Sequence, residues 1–138
     1  MSCKAGIYTA NTSVQALAVG ATINPGTIVR RYGNQCGNPI VNLSNNGIIL
    51  NEKGYYNVIA NVTDAPTDPG AVTVTLYQDG QPITGAVQTN TAAAASDATG
   101  VTVPAMVRVM NCAGSTITAV LTAGAGNVTN FTFDVVKL

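Results

Sequence analysis

Apolar and polar residues alternate with period two over much of this chain. From Val101 to Val109, Val101, Val103, Ala105, Val107 and Val109 share one parity, and Thr102, Pro104, Met106 and Arg108 the other. The same alternation sets Val72, Val74 and Leu76 against Thr73, Thr75 and Tyr77, and Ile117, Ala119 and Leu121 against Thr116, Thr118, Val120 and Thr122. It recurs with Tyr56, Val58, Ala60 and Val62 against Tyr55, Asn57, Ile59 and Asn61, and with Phe131, Phe133 and Val135 against Asn130, Thr132 and Asp134. Successive strand side chains point to opposite faces, so each run predicts a strand with one face toward a core. Shorter runs at Ala5–Tyr8, Val14–Leu17 and Thr27–Tyr32 predict further strands.

Turn chemistry separates the runs. Asp79-Gly80 ahead of Gln81-Pro82 predicts a tight hairpin, and Asn46-Gly47 between Val41–Leu43 and Ile48–Leu50 predicts another. Pro66, Pro69 and Gly70 interrupt the chain after Val62, and the stretch from Gly124 to Asn127 turns it into the last strand. Thr91 to Ala95 reads as a single helical turn or a loop. No repeat of fixed period occurs. The expectation is one all-β domain of about 8–10 antiparallel strands, as a sandwich, barrel or jelly roll.

Composition sharpens this picture. The chain has 138 residues, 46% of them apolar, enough for one domain with a real core. Six basic and six acidic residues make it 9% charged, against roughly 25% in ordinary soluble domains. Its formal net charge is zero and its pI about 6.0. Nothing here attracts nucleic acid or an anionic membrane. A neutral surface so poor in charge tends to self-associate, which predicts that much of it is covered in an assembly. No signal-peptide pattern opens the chain and no apolar run approaches the roughly 20 residues of a membrane span, so cytoplasmic synthesis is expected. Cys3, Cys36 and Cys112 are too widely spaced for a zinc site and odd in number; free thiols are the plain reading, with a Cys36–Cys112 bridge as the alternative. Residues 1–26 lack the strong alternation of 27–138 and read as a docking arm ahead of the domain.

The residues exclude most chemistry. The chain contains no His, so Ser-His-Asp and Cys-His arrangements are impossible. Of the acids Glu52, Asp64, Asp68, Asp79, Asp97 and Asp134, Asp79 is accounted for by its turn and Asp64 and Asp68 by a loop. No enzyme activity and no cofactor are expected. The Asp64–Asp68 loop could offer calcium some oxygens, but an Asx-turn stiffened by two prolines explains it more simply. Arg30 and Arg31 point to opposite faces of a strand and, with Lys4, suit contact with an acidic partner surface. Large side chains on the outward parity of two strands, Tyr55, Asn57 and Ile59 with Met106, Arg108 and Met110, mark a candidate oligomer interface.

Asn45-Asn46-Gly47-Ile48-Ile49-Leu50 runs into Asn51-Glu52-Lys53-Gly54-Tyr55-Tyr56-Asn57-Val58, a short strand, a polar turn, then Gly-aromatic-aromatic opening a long strand. With Leu76-Tyr77-Gln78-Asp79-Gly80-Gln81-Pro82-Ile83 and the closing aromatic strand Phe131 to Leu138, this order resembles the tumour-necrosis-factor and complement-component globular heads. Bacterial and phage members commonly have Pro before that Gly, where Lys53 stands here. The Met1-Ser2-Cys3-Lys4 start and the Ile28–Gly33 and Val107–Cys112 segments resemble small phage and prophage proteins of Gram-positive anaerobes. The resemblance implies a jelly-roll sandwich, a homotrimer, and a place on the virion surface, docked on the major capsid protein or another virion component as decoration or fibre cap. A host-surface glycan- or protein-binding module and a spore-surface protein are the alternatives.

Overall fold

A computed structural model describes residues 4–35, 37–44, 46–110 and 113–138. In chain order the strands are β1 (Ala5–Asn11), β2 (Gln15–Leu17), β3 (Ala21–Thr22), β4 (Thr27–Tyr32), β5 (Asn34–Gln35), β6 (Asn38–Pro39) and β7 (Val41–Ser44). They continue with β8 (Gly47–Leu50), β9 (Gly54–Pro66), β10 (Gly70–Gln78), β11 (Gln81–Ala92), β12 (Thr99–Val109), β13 (Ser115–Ala123) and β14 (Gly126–Lys137). Ten of these are four residues or longer, within the expected range. Among the described residues there is no helix. Thr91 and Ala92 extend β11, and a bend and turn follow in place of a helical turn.

Two sheets face each other. One runs β12-β9-β14-β1-β4 with β2 beside β14, the other β11-β10-β13-β8-β7 with β3 beside β13. All pairings are antiparallel, and β9 is paired along most of its length on both sides, with β14 from Tyr56↔Lys137 to Pro66↔Gly126 and with β12 from Gly54↔Val109 to Asp64↔Thr99. The alternation predicted for the long strands holds. Tyr56, Val58, Ala60 and Val62 are buried from β9, Val101, Val103, Val107 and Val109 from β12, and Phe131, Phe133 and Val135 from β14. Leu76, Ile117 and Leu121 meet them from the other sheet. Phe131 and Phe133 pack edge to face, their ring centres 5.0 Å apart. Antiparallel sheets buried on one side only account for this division.

The hairpins form for different reasons. Asp79 (φ 52°) and Gly80 (φ 81°) both have the positive φ of the tight turn expected there. In the second hairpin the last pair is Ser44↔Gly47, so Gly47 belongs to β8 rather than to the turn, and Asn45 lies outside the described residues. A Cβ on Gly47 would sit 2.6 Å from the Ile117 carbonyl oxygen, so this glycine serves the close approach of β8 to β13.

The amino-terminal stretch corrects one expectation. Instead of an arm, β1 lies between β14 and β4, in register from Ala5↔Lys137 to Asn11↔Phe131, with Ala5 and Ile7 in the core. The division after residue 26 therefore does not separate folded units. Its weak pattern has a cause: Gly6, Thr9 and Ala10 are too small or too polar to mark a buried face.

Candidate oligomer interface

Residues directly opposed in antiparallel strands share a face, so the register fixes which side chains lie together on the outside of the β12-β9-β14-β1-β4 sheet. Met106, Asn57, Val136, Gly6 and Tyr32 form one row across it. Pro104, Ile59, Asp134, Tyr8 and Arg30 form the next. Arg108 is opposite Tyr55, with its guanidinium 5.6 Å from the ring centre. Met110 follows directly after β12. The structure thus places Tyr55, Asn57, Ile59, Met106 and Arg108 on one surface, with Met110 at its margin.

Their exposure is unusual for their chemistry. Met106 is 60% exposed, Tyr55 49% and Ile59 39%, all on a sheet whose other side is packed, and Met110 just beyond it is 69% exposed. An apolar groove of about 350 Å³ runs between β9 and β12, lined by Asn57, Ile59, Pro104 and Met106. Tyr8 and Tyr32 extend the apolar surface toward β4. Sequence reading missed both, since only the register of β1 and β4 brings them beside β14. Tyr32 lies over Gly6, whose missing side chain leaves room for the ring.

The three basic residues proposed for docking fall along the β4 edge of this sheet. Arg30 is opposite Tyr8 and Arg31 opposite Ile7, so they point to opposite sides, and Arg31 Nη1 donates to Asn42 Oδ1 at 2.6 Å. Lys4 is exposed, its carbonyl oxygen 2.6 Å from where a Gly33 Cβ would lie, next to the end of β4. Every residue of β4 is exposed.

The remaining candidate chemistry is structural. Asp79 Oδ2 accepts from the Ser115 hydroxyl and Oδ1 from the Thr116 amide, while Gln78 Nε2 donates to Ser115 Oγ and to the Arg108 carbonyl. That network ties the β10–β11 turn to the start of β13 and the end of β12, and engages both Asp79 carboxylate oxygens. Asp64 and Asp68 are not brought to a shared surface: Asp64 is fully buried in β9 and Asp68 is exposed in the following loop. Among the described residues no three metal-ligating side chains gather. Cys3, Cys36 and Cys112, and with them the question of a Cys36–Cys112 bridge, lie outside the described residues.

Two ionisable groups are perturbed. Burial pushes the Tyr56 phenol up to about 12, with the Glu52 backbone partly opposing the shift and the Glu52 charge reinforcing it; the phenol donates to the Glu52 carbonyl at 2.7 Å. Burial pushes the Asp64 carboxyl up to about 6, the nearby Ala65 amide only partly offsetting it. The Glu52 carboxylate is paired with buried Lys137 at 3.2 Å.

No protein-family model and no curated protein sequence matches the chain. Solved structures do. The globular domain of zebrafish complement 1qA protein superposes with a TM-score of 0.70 at 10% identity, covering 94% of both chains. Eiger TNF from S. frugiperda gives 0.70 at 12% identity over 98% of this chain and 91% of its own. Murine APRIL at pH 5.0 gives 0.68 at 12% identity over 98% and 99%. Two antiparallel sheets in this order, matched over nearly the whole length of each neighbour, identify the architecture: the chain has the jelly-roll fold of the tumour-necrosis-factor and complement-component globular heads.

Proposed function

We propose that this chain is a non-enzymatic structural protein that works as a homotrimer, closed through the outer face of the β12-β9-β14-β1-β4 sheet. The carrying observation is that face itself, where Tyr55, Ile59, Met106 and Met110 stand exposed on a molecule with only 9% charged residues. A solvated sheet face carries Lys, Glu or Thr, while Tyr, Met and Arg are the types enriched in interface cores. The fold neighbours support the reading, since the family resemblance implies a threefold assembly.

The trimer's place, in this proposal, is the surface of a phage virion, as capsid decoration or fibre cap. Lys4, Arg30 and Arg31 along the β4 edge are its contact with an acidic surface of the major capsid protein or another virion component. The resemblance of the Ile28–Gly33 and Val107–Cys112 segments to phage and prophage proteins supports this. Light scattering tests the assembly: the expected mass is three times the 14.0 kDa of the chain, and a value of 14.0 kDa at micromolar concentration overturns it. Quantitative mass spectrometry of purified particles tests the location. Hundreds of copies per particle are expected for decoration; absence from the particle, or recovery from spores without phage, rejects it.

A further inference from the structure

We infer that Arg108 of one copy forms an ion pair with Asp134 of the next across this interface, an assignment that rests on the trimeric reading. Asp134 is exposed on the outer face of β14, opposite Ile59 of β9 on one side and Tyr8 of β1 on the other. Among the described residues it accepts no hydrogen bond, and the one ion pair is Lys137 with Glu52. A carboxylate in the middle of an apolar face is well solvated while the face is open. Covering it without a cation leaves a buried unpaired charge, which is strongly unfavourable.

The cation follows from symmetry. A closed threefold ring is built from heterologous contacts, so two different halves of each copy's surface meet. The β12–β9 half holds Met106, Pro104 and Ile59, and Arg108 is its charged residue. The β14–β1–β4 half holds Asp134, with Arg30 at its far edge. Opposed halves place Arg108 of one copy against Asp134 of the next, whereas Arg30 belongs to the same half as Asp134.

The pair cannot close within one chain. Arg108 is opposite Tyr55 and Asp134 opposite Ile59, so they are two strands and four residues apart, about 10 Å across the sheet and 13 Å along it. Arg108 is already held over the Tyr55 ring, which lowers the entropy lost when its guanidinium takes a bidentate partner.

Reversing each charge tests this. R108D and D134R alone are expected to raise the trimer's dissociation constant at least about 30-fold, measured by sedimentation equilibrium at 0.15 M salt. The double variant R108D/D134R is expected to return within about tenfold of the wild type. Thermal melting of each variant, with the neutral R108Q and D134N as milder replacements should a reversal fail to fold, shows that the monomer is intact. Single variants that associate like the wild type, or a double variant no tighter than the weaker single, overturn the pair while the trimer stands. Rescue of D134R by R30D instead assigns the cation to Arg30 and also overturns it. A wild-type chain that stays at 14.0 kDa at every concentration overturns the trimer as well.

Discussion

Asp64 is fully buried in β9 opposite Val128, where the register of β14 slips between Val128 and Asn130, and neither of its carboxylate oxygens accepts a well-formed hydrogen bond. Such a group favours its neutral form, which is why its pKa rises from 3.8 to about 6. The sign of the consequence is opposite to that of a salt-bridged aspartate. Between pH 4 and 6 the native state holds a proton that the unfolded chain has released, so stability grows as pH falls through about 6. The gain is complete below 3.8 and is lost as pH rises through about 6. The melting temperature is therefore expected to rise from pH 7.5 to pH 4.5, and Asp64→Asn to flatten that rise. Parallel curves for the two proteins, followed by circular dichroism, would assign the dependence to other groups.

At the scale of elements, the β9–β14 pair is the spine of the sandwich, and its tightest point is Gly126. A Cβ there would overlap the Ala65 carbonyl oxygen and come within 2.6 Å of Pro66 Cα, both backbone atoms with little freedom to move. Gly126→Ala is expected to cost about 1–3 kcal/mol in chemical denaturation, the usual range for forcing atoms into a packed site. The same change at Gly80, whose Cβ would meet nothing within 4 Å, tests only the cost of its positive φ. Glycines thus differ in role, and the sequence shows this poorly: Gly47 reads as a turn residue but spaces two strands. What was legible follows from amphipathicity. β9, β12, β13 and β14 each bury one face, so Val, Ile, Phe and Tyr on one parity announced them, and with them Tyr55, Ile59 and Met106 on the other. β1 and β4 were legible as strands, but not their place in the sandwich: β1 buries Thr9 among small residues, and β4 is exposed throughout and has no buried parity to show. Tyr8 and Tyr32 could not be placed at the candidate interface without knowing that these two strands join β14.

For the whole molecule, the sparse charge and the apolar sheet face are two aspects of one constraint. Twelve charged side chains cannot cover a monomer exposing 6855 Å², and a net charge of zero offers no repulsion between copies. Closing the Met106 face into a ring removes the worst of that surface, along with the exposed edge of β12 or β4 that would otherwise invite further pairing. Met106→Glu separates the two roles of this face. The side chain is 60% exposed at the rim of the groove and contributes nothing to the core on the other side of the sheet, so the monomer is expected to fold. In the assembly the new carboxylate would be buried opposite apolar partners, so the mass by light scattering is expected to fall to 14.0 kDa. Melting should then cease to depend on protein concentration, because linkage to association is gone. The freed subunits are also expected to be less soluble near pH 6 than the trimer, despite the added charge, since Tyr55, Ile59, Tyr8 and Tyr32 become permanently open to solvent. An unchanged mass for Met106→Glu, with wild type trimeric, would move the interface to another face of the sandwich.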